Sequence, residues 1–277
     1  SAASDVYKRQ TKKKFLVVTD LDSTLLDHNY NCDEAEPALA CLRELGLPLV
    51  LNSSKTVAEM ENLAMHLGLH SPLVAENGGL LAIPNESTGE YSVQIKGLPR
   101  KEILEAAHNL RRQMGYKFEG FADWSDQELA VRSGLSITQS KLSRARLATE
   151  PISWNDTEQQ RLEFADQLDA LGVRMLRGGR FWHLMDAPDK ADGIASALEY
   201  YQEREPDTDW LVIALGDSAN DTAMLEAADI AVVIPHADGA HISPKAPRVV
   251  HASFPASKGW NAAILLLLDE CREHCST

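Results

Sequence analysis

Cysteine is scarce in this chain of 277 residues: Cys32, Cys41, Cys271 and Cys275 are the only four. None forms a C-x-x-C pair and the two groups stand at opposite ends, which argues against a disulfide framework. Cys271, His274 and Cys275 are the one cluster with soft-metal character, and it falls short of the four ligands a structural zinc site takes. Long apolar runs are missing too. The longest, 262–268, is far below the roughly 20 residues of a membrane span, and no apolar signal-peptide core opens the chain. Residues 1–11 carry no periodic pattern and are expected to be a leader outside the fold. Cations are outnumbered, 27 Lys and Arg against 41 Asp and Glu, for a net charge of −14. Such a surface repels nucleic acid and anionic membrane, and an anionic small substrate would need a local cation to meet it. Reduced thiols and these absences point to a cytoplasmic protein; oligomeric state is not legible.

What is present is an alternation of buried strands and amphipathic helices. Phe15 to Thr19 and Leu47 to Leu51 are continuous apolar runs, as strands covered on both faces read. Asp33 to Leu45 and Thr56 to Leu67 have helical spacing and stop at Gly46 and Gly68. Leu73 to Ala75 is a third short strand, before the turn Glu76-Asn77-Gly78-Gly79. From about Pro84 to Asp186 the texture changes. Helices are expected at 99–114, 125–133, 138–148 and 157–171, and strands at 91–95, 152–154, 173–177 and 181–185. The first texture then returns, with helices at 190–201, 221–227 and 257–273 and strands at 210–215, 230–234 and 249–251. The fold class expected is α/β, a doubly wound, mostly parallel Rossmann-like core with an inserted α+β cap. The core takes 12–84 and 187–277, the cap 85–186.

Ligands of an open parallel sheet bind beyond the carboxyl ends of its strands. Asp20 and Asp22 follow the first strand, Ser53 follows the second, and Asp217 follows 210–215. Asp221 opens the next helix and Lys190 begins the helix that re-enters the core. Clustered carboxylates repel one another unless a cation sits among them, and an all-oxygen donor set favours Mg²⁺. A lysine and a hydroxyl beside that ion would hold phosphoryl oxygens.

Asp20-Leu21-Asp22-Ser23-Thr24 resembles the D-x-D-x-T signature of haloacid dehalogenase phosphatases, and Gly216-Asp217-Ser218-Ala219-Asn220-Asp221 resembles their G-D-x-x-N-D motif. Ser53 and Lys190 match the hydroxyl and basic motifs between them, in the required order. The resemblance implies an aspartyl-phosphate mechanism, with Asp20 as nucleophile and Asp22 as acid/base. It implies Mg²⁺ held by Asp20, the backbone carbonyl of Asp22 and Asp217, with Asp221 in support. Ser53, Lys190 and Thr24 would bind phosphate.

Within that superfamily the chain most resembles the mannosyl-3-phosphoglycerate phosphatases, through 52–56, 75–79 and Gly178-Gly179-Arg180-Phe181-Trp182-His183. The implied substrate is a small phosphorylated sugar-glycerate, mannosyl or glucosyl. Lys55, Glu76, Asn77, Gly78, Arg180, His183 and Asn220 are the implied substrate-binding residues, and Trp182 could face a sugar ring. Two positions depart from the common pattern. Ser23 stands where many relatives have glycine, and Ser54-Lys55 replaces the Gly-Arg of other sugar-phosphate phosphatases. Another sugar-phosphate phosphatase and a phosphomutase are the alternative readings on the same scaffold. A signalling receiver shares the acidic cluster but not the paired D-x-D or the long cap.

Overall fold

The computed structural model describes residues 12–239 and 241–275, with side chains through residue 270. The expected leader at 1–11 and the Cys271, His274 and Cys275 side chains lie outside the described residues. The chain opens with β1 (Lys12–Thr19), α1 (Glu36–Glu44), β2 (Leu49–Asn52), α2 (Val57–His66), β3 (Leu73–Ala75), β4 (Leu80–Pro84) and β5 (Tyr91–Ile95). A middle stretch follows: α3 (Arg100–Met114), β6 (Phe118–Gly120), α4 (Asp126–Ser133), α5 (Ile137–Arg144), β7 (Thr149–Trp154), α6 (Glu158–Asp169), β8 (Arg174–Arg177) and β9 (Trp182–Met185). It closes with α7 (Lys190–Arg204), β10 (Thr208–Gly216), α8 (Thr222–Glu226), β11 (Ile230–Val233), β12 (Arg248–His251) and α9 (Ala256–Cys275).

The larger sheet has the order β12-β11-β10-β1-β2-β3-β4-β5. Its pairs are parallel from β12 to β3 and antiparallel from β3 to β5. From β1 the chain builds outward to β2 and β3, then returns to build β10, β11 and β12 on the other side. The order therefore reverses between β1 and β10, where an open α/β sheet binds its ligand. Side chains alternate across the central strands. Val17, Leu51 and Leu215 pack with Trp260 and Ile264 of α9 on one face. Leu16, Val18 and Ala214 pack with Ile194 and Ala197 of α7 on the other. Burial on both faces is why these strands carry no polar alternation.

A second sheet, order β6-β7-β9-β8, is antiparallel throughout. Ile103, Phe118, Phe164 and Leu184 form its own apolar core under α3 and α6. Three differences from the sequence expectations stand out. Strand β5, counted with the insertion on texture, hydrogen-bonds along its whole length to β4 and edges the larger sheet. Strands β4 and β6 are additions. The helix expected to reach Ala148 stops at Arg144, because the Glu76 carboxylate takes the backbone N–H groups of Leu147 and Ala148.

Candidate active site

The two strands flanking the switch point deliver the carboxylates. Beyond β1, the Asp20 N–H donates to the Leu215 carbonyl of β10 at 2.9 Å, so the nucleophile candidate is pinned to the neighbouring strand end. Beyond β10, Gly216 leaves room for the Asp221 side chain, whose Cβ would stand 2.5 Å from a Cβ at that position. Asp221 is fully buried. Its Oδ2 accepts from the N–H groups of Asp217 and Ser218 at 3.1 and 3.0 Å. Lys190 starts α7 behind the Asp189 N-cap, and Asn52 holds its carbonyl at 2.8 Å. Its Nζ donates to Asp20 Oδ1 and Asp221 Oδ1, both at 2.6 Å.

Asp20, Asp217 and Asp221 are all buried, and one oxygen from each lies within 4.8 Å of the others. Burial raises the Asp20 pKa to about 8 against the pull of Lys190, with Asp221 adding repulsion. Burial and Asp221 raise Asp217 to about 6, although the Thr24 hydroxyl and His236 favour its charge. For Lys190, burial disfavours the cation, but Asp20 and Asp221 outweigh it and hold its pKa above the usual value. The donor set fits a hard divalent cation such as Mg²⁺: it is all oxygen and electrostatically under-compensated. Among the described residues Asp20 Oδ2 accepts no hydrogen bond, whereas both oxygens of Asp221 do.

Asp22 is different. Its side chain is 48% exposed and pairs with Lys55 Nζ at 3.0 Å. The loop after Asp22 turns through Ser23, held at φ 61°, a backbone region that favours glycine. Asp22 lines a cavity of about 610 Å³ between the two sheets, together with Lys55, Arg180, His183 and Phe181. A neighbouring cavity of about 370 Å³ is lined by Asn77, Asn220, Lys190 and His183. His183 thus borders both. Burial, with the charges of Arg146 and Lys190, pushes its pKa down to about 3, so its imidazole is neutral.

Other expected site residues are placed differently. Thr24 is fully buried and donates to Asp217 Oδ1 at 3.0 Å, so its hydroxyl orients a carboxylate rather than facing the cavity. Ser53 is buried at the end of β2, where its Oγ accepts a long bond of 3.4 Å from the Lys55 N–H. Glu76 lies outside both cavities. It accepts from Leu147 N, Ala148 N and Thr149 Oγ1 at 2.8, 3.0 and 2.7 Å, and so fastens the segment entering β7. Gly78, at φ 94°, seats its backbone against Asp189, whose carbonyl oxygen would lie 1.9 Å from a Cβ. Trp182 has its ring beneath the Arg161 and Arg177 guanidinium groups at 4.2 and 5.1 Å, away from the cavity that Phe181 lines.

Two residues enter that sequence reasoning passed over. His236 Nε2 lies 3.0 Å from the Asp217 carbonyl oxygen and 3.4 Å from Oδ2. Its place just beyond the end of β11 was a usable signal. Arg146 lines the larger cavity, and no motif marks it.

Comparison with known proteins agrees with this geometry. A family model described as haloacid dehalogenase-like hydrolase matches residues 17–162. A glucosyl-3-phosphoglycerate/mannosyl-3-phosphoglycerate phosphatase of Methanococcoides burtonii is 34% identical over 267 residues, covering 92% of this chain and 97% of that protein. Among solved structures, one from Thermoplasma acidophilum aligns at TM-score 0.66 and 16% identity, over 91% of this chain and 96% of its own. A phosphatase of the haloalkanoate enzyme superfamily from Bacteroides thetaiotaomicron aligns at 0.61 and 16%, over 90% and 94%. At those identities the two structures bear on the fold.

Proposed function

The chain belongs to the haloacid dehalogenase-like hydrolases and is a phosphatase of that family; on that premise we propose that it hydrolyses the phosphate ester of a glycosyl-3-phosphoglycerate, glucosyl or mannosyl. The observation that carries the reading is the larger cavity. There the half-exposed Asp22 shares one space with Lys55, Arg180 and His183, a cationic and hydrogen-bonding lining suited to a substrate with charge at both ends. The similarity to the Methanococcoides burtonii phosphatase supports the same substrate class. A cytoplasmic setting belongs to this reading; among the described residues no helix is long and apolar enough to cross a membrane. So does the division into core (12–84 and 187–277) and cap (85–186), with β5 joined to the core sheet it pairs with.

In this mechanism Asp20 attacks phosphorus in line, forming an aspartyl-phosphate as the ester bond to the glycerate oxygen breaks. Asp22 protonates that leaving oxygen, then removes a proton from the water that cleaves the acyl phosphate. Asp20, the backbone carbonyl of Asp22 and Asp217 would hold Mg²⁺, with Asp221 behind them. The ion, when bound, supplies the positive charge that lets these carboxylates ionise together beside a phosphate. Lys190 keeps Asp20 oriented and neutralises charge at the transferring group. Thr24 and His236 fix Asp217. Ser53 stands at the end of β2 to meet a phosphoryl oxygen. Lys55 holds the Asp22 carboxylate toward the cavity.

The test is phosphate release with Mg²⁺ over glucosyl- and mannosyl-3-phosphoglycerate, hexose phosphates and 3-phosphoglycerate. The glycosylated phosphoglycerates should give the highest kcat/KM. Faster turnover of simple hexose phosphates would remove the substrate assignment and leave the family chemistry standing. Isomerised sugar phosphate without free phosphate would instead favour a mutase.

A further inference from the structure

Arg146 sits between the end of α5 and the start of β7, and it is 8% exposed. A guanidinium this buried normally faces a carboxylate. Among the described residues none lies within ion-pairing distance of it. The nearby buried acid, Glu150, pairs with Arg100 at 2.5 Å instead. Arg146 Nη1 donates to the Ser54 carbonyl at 3.2 Å and to Thr149 Oγ1 at 2.9 Å, and Nε is buried without an acceptor. Phe121 lies beneath the guanidinium, 5.4 Å from its ring centre. The group is therefore clamped from two sides, has no carboxylate partner among the described residues, and lines the cavity onto which Asp22 opens.

Its position relative to the chemistry is also fixed. Ser54 directly follows the phosphate-side Ser53, so the Nη1 bond ties the cation to that end of the cavity. The Thr149 hydroxyl in turn donates a hydrogen bond to Glu76, which anchors the same segment to the core. Arg180 lines the same space but is exposed and follows two glycines, so it lacks this rigidity. A pre-set guanidinium binds a planar carboxylate with less loss of side-chain freedom than a mobile one.

We propose that Arg146 is the residue that binds the glycerate carboxylate of the substrate and so selects carboxylate-bearing phosphate esters, with Arg180 left to the outer, sugar side of the cavity. This rests on the glycosyl-phosphoglycerate reading and assigns its specificity to one side chain.

The experiment compares kcat/KM for glucosyl-3-phosphoglycerate with that for glucosylglycerol phosphate, in which a neutral hydroxymethyl group replaces the carboxylate, in the native protein, Arg146→Gln and Arg146→Lys. The native enzyme should prefer the carboxylate substrate by on the order of a hundredfold, as a charge-assisted pair allows. Arg146→Gln should erase most of that preference through KM while turnover of glucosylglycerol phosphate holds, and Arg146→Lys should restore part of it. A native enzyme without the preference removes the substrate reading and this inference together. A preference that survives Arg146→Gln overturns the inference alone, as does an equal loss on both substrates. Should the glutamine variant not fold, inhibition of the native enzyme and Arg146→Lys decides: D-glycerate should inhibit the native enzyme at least about tenfold more tightly than glycerol and lose part of that margin in Arg146→Lys, and parity in the native enzyme or an unchanged margin in the variant overturns the proposal.

Discussion

Asp20 is the residue on which chemistry and stability pull apart. Its carboxylate must be ionised to attack phosphorus, yet burial raises its pKa to about 8 despite the Lys190 ammonium 2.6 Å away. The folded protein without metal thus carries an acid it holds at a cost. Asp20→Asn removes the nucleophile and that cost in one step, while Lys190 keeps Asp221 as its ion partner. The expected outcome is a fall in kcat of at least about 10⁴-fold. In a chelator at mildly alkaline pH, the variant should melt no lower than the native protein. Assays of phosphate release with parallel thermal melts check both halves. Retained turnover would displace Asp20 as nucleophile, and a sharply lower melting temperature would mean that Lys190 outweighs burial after all.

The turn between β3 and β4 shows how a short element sets the site from outside it. Gly78 lets its backbone press on Asp189, the residue that caps α7 and immediately precedes Lys190. A methyl group there would push the helix start away from Asp20. Gly78→Ala should therefore lower kcat by about 10- to 100-fold with little change in KM, since misplacement of a catalytic group has that scale. Gly89→Ala is the control, because Gly89 also has positive φ (73°) but nothing within 4 Å of a Cβ; it should leave kcat unchanged. Equal losses in the two variants would make backbone strain, not the displaced helix, the cause. The same turn marks where sequence reading works and where it stops. Strands β1, β2 and β10 are legible because burial on both faces leaves apolar runs, and Asp20, Asp217, Asp221 and Lys190 because fixed strand and helix ends place them. Strand β4 is a brief apolar run closed by Pro84, and β6 is three residues without a period, so neither stands out. Glu76 reads as a turn residue near substrate, and only docking of the segment before β7 reveals its three donors. Arg146 is hidden for the same reason: its neighbours Ser54 and Phe121 come from stretches distant in sequence.

For the whole molecule, the acidic cluster couples folding to both pH and metal. Asp20 and Asp217 have folded pKa values of about 8 and about 6, against 3.8 for an ordinary aspartate. Between those limits the metal-free folded protein binds more protons than the unfolded chain, so its stability falls as pH rises through the window. The sign is opposite to that of an aspartate whose pKa is depressed by a salt bridge. Mg²⁺ binds the ionised carboxylates and competes with these protons, so its stabilising effect should grow as pH rises. At a free concentration about 100-fold above its Kd the ion would add about 2.7 kcal/mol, which for a chain of this size is roughly 5–10 °C in Tm. Thermal melts with Mg²⁺ and with chelator should therefore nearly coincide at about pH 5 and separate by that amount at about pH 8.5. In Asp217→Asn the separation at about pH 8.5 should shrink, because a buried oxygen ligand has lost its charge. Curves that stay equally far apart at both pH values would mean that the ion binds elsewhere, and that the buried aspartates are held ionised by the protein alone.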